Sequence, residues 1–69
     1  MYNAAVITIS DKGFRGERVD TSGPNLVQIL KDRGFDVTYT NIIPDDREMI
    51  KEELLKCTDR LGIALVLTT

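Results

Sequence analysis

Two periods of apolar and polar residues take turns along this 69-residue chain. Ala4-Ala5-Val6-Ile7-Thr8-Ile9 is a short, nearly unbroken apolar run with several β-branched residues, closed by the loop-forming Ser10-Asp11-Lys12-Gly13. Such a run predicts a strand buried on both faces, as in a parallel sheet. From residue 10 to residue 21 no period is visible. The segment holds Gly13, Gly16 and charges of cancelling sign, and reads either as a solvated loop or as a functional connection. A helix is predicted next. Thr21 or Ser22 can cap it, and Pro24 falls in its first turn, where a missing N–H costs nothing. Leu26, Ile29, Leu30 and Arg33 share one helical face with Val27 beside it, and Gly34 stands where a left-handed residue ends a helix.

Phe35-Asp36-Val37-Thr38-Tyr39-Thr40 then alternates apolar and polar, runs on through Asn41-Ile42-Ile43, and stops at Pro44. Alternation predicts a strand covered on one face and nearer a sheet edge. A second helix is predicted from Asp45 or Asp46, with Glu48 completing an acidic variant of the capping box. Ile50, Leu54, Cys57 and Leu61 form its buried stripe, and Gly62 closes it. Ile63-Ala64-Leu65-Val66-Leu67 is the most hydrophobic strand candidate, reads as central in a sheet, and leads into Thr68-Thr69.

The order β-α-β-α-β implies a parallel sheet with right-handed crossovers. With strand order 2-1-3, the expected arrangement, the crossovers run in opposite directions and put one helix on each face, giving a three-layer α/β/α fold. With order 1-2-3 both helices fall on one face and the other is bare. Either way, two helices leave part of the sheet uncovered. Residues 1–69 are therefore expected to be the N-terminal part of a single domain. The missing layer comes from further chain or from a partner subunit.

Composition narrows the class. At 42% hydrophobic and 29% charged residues, the chain resembles an ordinary globular protein. A domain of this size buries only roughly 60% of its unfolded surface. Cys57 is the sole cysteine and histidine is absent, so neither an internal disulfide nor a zinc site can supplement the core. The net charge of −2 offers no nucleic-acid footprint. No apolar stretch approaches the ~20 residues of a membrane span, and the N-terminus lacks signal-peptide character. With one unpaired cysteine, a cytoplasmic location is expected.

In an open parallel sheet, ligands bind beyond the carboxyl ends of the strands. Ser10-Asp11, Pro44-Asp45-Asp46 and Thr68-Thr69 should all lie there. Without His or a nucleophile–base pair, triad chemistry is unavailable. Carboxylates, hydroxyls and helix N-termini instead suit Mg²⁺ with phosphate, and phosphoryl or nucleotidyl transfer needs mainly positioning and charge neutralisation. Each residue also has a purely structural reading: Asp45 as a helix cap, Asp11 as a turn former, Thr68-Thr69 as strand.

Four segments together carry a resemblance: Val6-Ile7-Thr8-Ile9-Ser10-Asp11, Asp20-Thr21-Ser22-Gly23, Ile43-Pro44-Asp45-Asp46 and Leu65-Val66-Leu67-Thr68-Thr69. In this order and spacing the chain resembles the MogA/MoaB family, to which the gephyrin G domain and its plant counterpart belong. The resemblance implies a trimeric three-layer α/β/α domain and Mg²⁺- and ATP-dependent adenylylation of molybdopterin. It implies that Thr68 and Thr69 lead into a Gly-Gly-Thr-Gly phosphate loop followed by an Asp, both beyond residue 69, so these residues alone should lack a complete site. It assigns Asp45 to catalysis and to Mg²⁺/ATP positioning, and Ser10 and Asp11 to the border of the pterin–nucleotide cleft. Asp20, Ser22 and Gly23 match its Asp-x-Ser-Gly segment, with Ser22 offering helix N–H groups to an anion. By charge alone, Arg15 or Arg18 suits a phosphate contact.

A non-enzymatic binding or signalling domain of the receiver type is the main alternative. It should carry paired acids after its first strand and an Asp after its third, where this chain has Ser10-Asp11 and Thr68-Thr69. The related domain of CinA-type proteins typically carries Gly-Thr-Glu where Ser10-Asp11-Lys12 stands.

Overall fold

Strand β1 (Asn3–Ile9) is the centre of the sheet because its middle is apolar on both faces. Ala4, Ala5, Val6 and Ile7 are all buried to 1% exposure or less. Burying each of the larger two side chains contributes about 1.5–3 kcal/mol. The structure is a computed structural model and describes residues 2–69. The elements that follow are α1 (Asp11–Phe14), α2 (Ser22–Asp32), β2 (Asp36–Ile43), α3 (Arg47–Leu55) with a π-type turn over Lys56–Arg60, and β3 (Leu65–Thr68). The sheet is parallel with order β2-β1-β3, as expected.

The period-2 geometry of β1 sorts the core into two layers. Ala4 and Val6 meet Leu30, Leu26 and Val27 of α2 on one face. Ala5 and Ile7 meet Cys57, Ile50 and Ile43 on the other. One helix per face follows from right-handed crossovers running in opposite directions. Strand β2 is an edge strand with alternating burial, and a bulge at Thr38 shifts its register against Ala4 and Ala5. Read from its apolar run as central, β3 pairs only with β1 among the described residues, and Leu65, Val66 and Leu67 are half-buried.

Several local expectations are corrected. The segment after β1 is not structureless: Ser10 Oγ accepts from the Gly13 N–H at 3.0 Å and caps the single turn α1. On α2 the buried positions are Gly23 and Leu30, flanked by half-buried Leu26 and Val27, and Ile29 turns outward at 51% exposure. Neither Thr21 nor Ser22 caps α2 by its side chain; Asp20 does so, accepting from the Gly23 N–H at 3.0 Å. Helix α3 is capped by Asp46, which accepts from the Met49 N–H at 3.0 Å, so the Asp45–Glu48 capping box does not form. The stripe through Ile50, Leu54 and Cys57 ends early. The Leu61 N–H bonds to Lys56 C=O, five residues back, and this wider turn rotates Leu61 outward to 43% exposure. Strand β3 begins at Leu65 because Asn3 holds the lead-in: its Oδ1 accepts from Ala64 N–H at 2.8 Å and its Nδ2 donates to Gly62 C=O at 3.3 Å. Gly34 and Gly62 have φ of 87° and 60°, the left-handed conformation expected of residues that end helices.

Candidate functional site

Parallel strands bring their carboxyl ends to one edge, and backbone bonds tie those ends together here. The Ser10 N–H donates to Ile43 C=O at 2.9 Å, joining the tips of β1 and β2. The Ile9 N–H donates to Thr69 C=O at 2.8 Å, and the Thr69 N–H to Ile7 C=O at 3.0 Å, joining β1 to the end of β3. Thr68 lies opposite Ile7 in that register and is exposed. Ser10, Asp11, Asp45, Thr68 and Thr69 therefore all stand at one sheet edge.

Within that edge the side chains form two groups. The first surrounds a polar cavity of about 300 Å³ between β1, β3 and the start of α2, lined by Ser10, Arg18, Asp20, Ser22 and Thr69. The second is the pair Asp11 and Asp45, on the β2 side. Asp11 Oδ1 accepts the Asp45 N–H at 2.8 Å, an exposed contact. With Asp46 serving as the cap of α3, the Asp45 carboxylate is engaged by no hydrogen bond or ion pair among the described residues. Thr68, Asp11 and Asp45 do not line the polar cavity, and Gly23 lines its apolar neighbour instead.

Asp20 spans the join between β1 and α2. Its Oδ2 accepts from Thr8 Oγ1 at 2.9 Å and its Oδ1 from the Gly23 N–H at 3.0 Å. One helix N–H that a ligand anion could use is thus already held by the protein's own carboxylate. Gly23 must lack a side chain, because a Cβ there would come within 2.7 Å of Thr8 Oγ1 and closer still to Asp20. Of the two arginines, Arg15 is bound to Glu17 at 2.9 Å, whereas Arg18 lines the polar cavity.

Sequence reasoning passed over Thr8. Its signal was a hydroxyl inside an otherwise apolar buried strand, which demands a partner. It is 6% exposed, and the partner is Asp20.

Mg²⁺ is commonly held by one or two carboxylates, water and substrate phosphates rather than by a protein cage. Asp11 and Asp45, adjacent and exposed, fit that mode, and no cluster of three acidic, His or Cys residues capable of caging a metal occurs among the described residues.

An open parallel α/β domain with its polar residues gathered at the carboxyl edge is the class that fold and site define. The chain belongs to the family described as "probable molybdopterin binding domain", which matches residues 5–69. It is 40% identical over 68 residues to the molybdopterin adenylyltransferase of Pyrococcus furiosus, an alignment covering 99% of this chain and 39% of that protein. It is 40% identical over 63 residues to the molybdenum cofactor biosynthesis protein B of Bacillus anthracis, covering 91% of this chain and 36% of that one. The crystal structure of the molybdopterin biosynthesis enzyme MoaB from Thermus thermophilus superposes with a TM-score of 0.93 at 41% identity, over 99% of this chain and 43% of that one. The chain thus spans about two fifths of these relatives. No helix of the described residues is long and apolar enough to cross a membrane.

Proposed function

We propose that the protein carrying this chain acts in molybdenum cofactor biosynthesis as a molybdopterin adenylyltransferase, transferring the adenylyl group of ATP to molybdopterin with release of pyrophosphate. Residues 1–69 form the N-terminal part of its single domain and hold one part of the site. The observation that most supports this reading is the placement of Asp45 beside Asp11 at the sheet edge, its carboxylate spared from capping by Asp46. Family membership points the same way.

In this reading Asp45, with Asp11 beside it, would hold Mg²⁺, and the ion would supply charge neutralisation for ATP phosphates. Asp45 is the residue on which catalysis depends. Ser10, Ser22, Thr68 and Thr69 bind substrate through hydroxyls and backbone at the strand ends. Asp20 and Gly23 shape the start of α2 against which substrate rests. Proximity and charge neutralisation supply the rate, as suits nucleotidyl transfer. The working protein is a homotrimer in the cytoplasm, with small molecules as its substrates.

The test is direct. The full-length protein is incubated with ATP, Mg²⁺ and molybdopterin, and adenylylated pterin is sought by mass spectrometry. Product that depends on all three supports the proposal. Pterin binding without product would make the protein a binding module instead.

A further inference from the structure

Beside the polar cavity lies a second, mainly apolar one, of about 580 Å³, between α2 and the C-terminal half of β2, walled by Val6, Pro24, Val27 and Ile42 with Thr40 and Asn41 at the strand. The two cavities have two lining residues in common, Thr8 and Asp20. The hydrogen bond between them, at 2.9 Å, is therefore the partition between an apolar lobe and a polar lobe. Thr8 is fixed in place by the central strand and is 6% exposed. Asp20 sits in the connection to α2 and is half-buried. The strand residue thus positions the loop residue, and Asp20 passes that position to the helix through the Gly23 N–H. Gly23 allows this close approach because it has no Cβ to strike Thr8 and Asp20.

We propose that Thr8 is a positioning residue of the site: acting through Asp20, it fixes the start of α2 and keeps the two lobes distinct. An amphiphilic ligand with a flat heterocycle and an anionic end is then bound in one orientation, heterocycle against Pro24, Val27 and Ile42, anion toward Ser10, Arg18 and Thr69. The proposal rests on the molybdopterin reading for the ligand, and on the Thr8–Asp20 and Asp20–Gly23 hydrogen bonds for the clamp. Without the Thr8 hydroxyl the half-buried Asp20 Oδ2 would lose its one protein donor, at the cost of one hydrogen bond to a charged group.

The experiment compares Thr8→Val and Thr8→Ser in the full-length protein, with KM for the pterin, kcat, the melting curve and amide exchange at Gly23 measured for each. Thr8→Val should raise KM by about tenfold, with kcat less affected, and speed Gly23 exchange by about tenfold, the scale of one lost hydrogen bond. Thr8→Ser restores the hydroxyl and should stay within about threefold of the unsubstituted protein in both. A Thr8→Val protein with unchanged KM, or a Thr8→Ser protein as impaired as Thr8→Val, overturns the proposal. Should Thr8→Val fail to fold, Asp20→Asn disturbs the same pair and should raise KM similarly; an unchanged KM there overturns it equally. If the unsubstituted protein shows no turnover, the functional reading falls. The clamp is then judged by Gly23 exchange, and equal rates in all three proteins remove it.

Discussion

The backbone N–H of Asp45 donates to Asp11 Oδ1 at 2.8 Å, joining the connection after β2 to the first turn after β1. This bond crosses 34 residues of sequence. It ties the two aspartates together where two parallel strands end, and the capping of α3 falls to the next residue, Asp46.

Under the proposed function, that division of labour separates activity from stability. Asp45→Asn should lower adenylylation by the full-length protein by on the order of 100-fold, the scale of losing one charge-stabilising group. Its melting temperature should barely move, because the side chain is exposed and caps nothing. Turnover equal to that of the unsubstituted protein would remove Asp45 from the mechanism.

Asp46→Ala should behave in the opposite way. It removes the acceptor for the Met49 N–H and costs about 1 kcal/mol in a urea titration, with turnover nearly preserved. A loss of activity without loss of stability would show the two aspartates' roles to be reversed.

Gly23→Ala places a methyl group against Thr8 Oγ1 and the Asp20 carboxylate. Both partners are held by hydrogen bonds, so the crowding cannot relax cheaply. A destabilisation of about 1–3 kcal/mol is expected, the range for overpacked buried positions. Chemical denaturation checks it, and a neutral result would mean that the start of α2 is looser than the two bonds imply.

Outside the site, Glu53 accepts from Tyr39 OH and from Asn41 Nδ2, and Lys56 lies nearby, donating to the same Tyr39 OH at 2.9 Å. Burial alone would raise the Glu53 pKa, but the two hydrogen bonds and the Lys56 charge outweigh it and leave it below its ordinary 4.5. A carboxylate whose folded pKa is depressed stabilises the fold above its unfolded pKa, and that contribution is lost as pH falls through the folded pKa. Stability of the unsubstituted protein should therefore decline below about pH 4.5, more steeply than that of Glu53→Gln. Parallel pH profiles for the two proteins would refute the assignment.

Asn3 fastens the approach to β3 through both ends of its amide. Asn3→Ala should cost about 1 kcal/mol and speed amide exchange at Ala64. Unchanged exchange at Ala64 would show that the β1–β3 pairing alone holds this turn.

Much of the fold could be read from the chain because its signals are local. The unbroken apolar run Ala4–Ile7 marks a strand buried on both faces, and the alternation through Val37 and Tyr39 marks an edge strand. Crossover handedness then placed one helix on each side of the sheet. The site was legible only as an address: Ser10, Asp11, Asp45, Thr68 and Thr69 had to reach one edge because parallel strands all end there.

Which acid does what was not legible, because neighbouring carboxylates look alike in sequence. Asp45 and Asp46 both suit a helix start, and only the backbone path after Pro44 turns Asp46 toward the Met49 N–H. Asp20, three residues before Gly23, becomes the cap of α2 because Thr8 stands across from it on a strand formed earlier in the chain. Periodicity also failed at Leu61, where the wider turn after Leu55 broke the helical phase. The sequence by itself determined the order of elements, the two-faced core and the edge where the polar strand-end residues gather, since these follow from hydrophobic period and chain handedness. Only the tertiary structure decided how hydrogen bonds are shared among Thr8, Asp11, Asp20, Asp45 and Asp46. Each of those bonds depends on distances between atoms that the chain brings together only when the sheet closes.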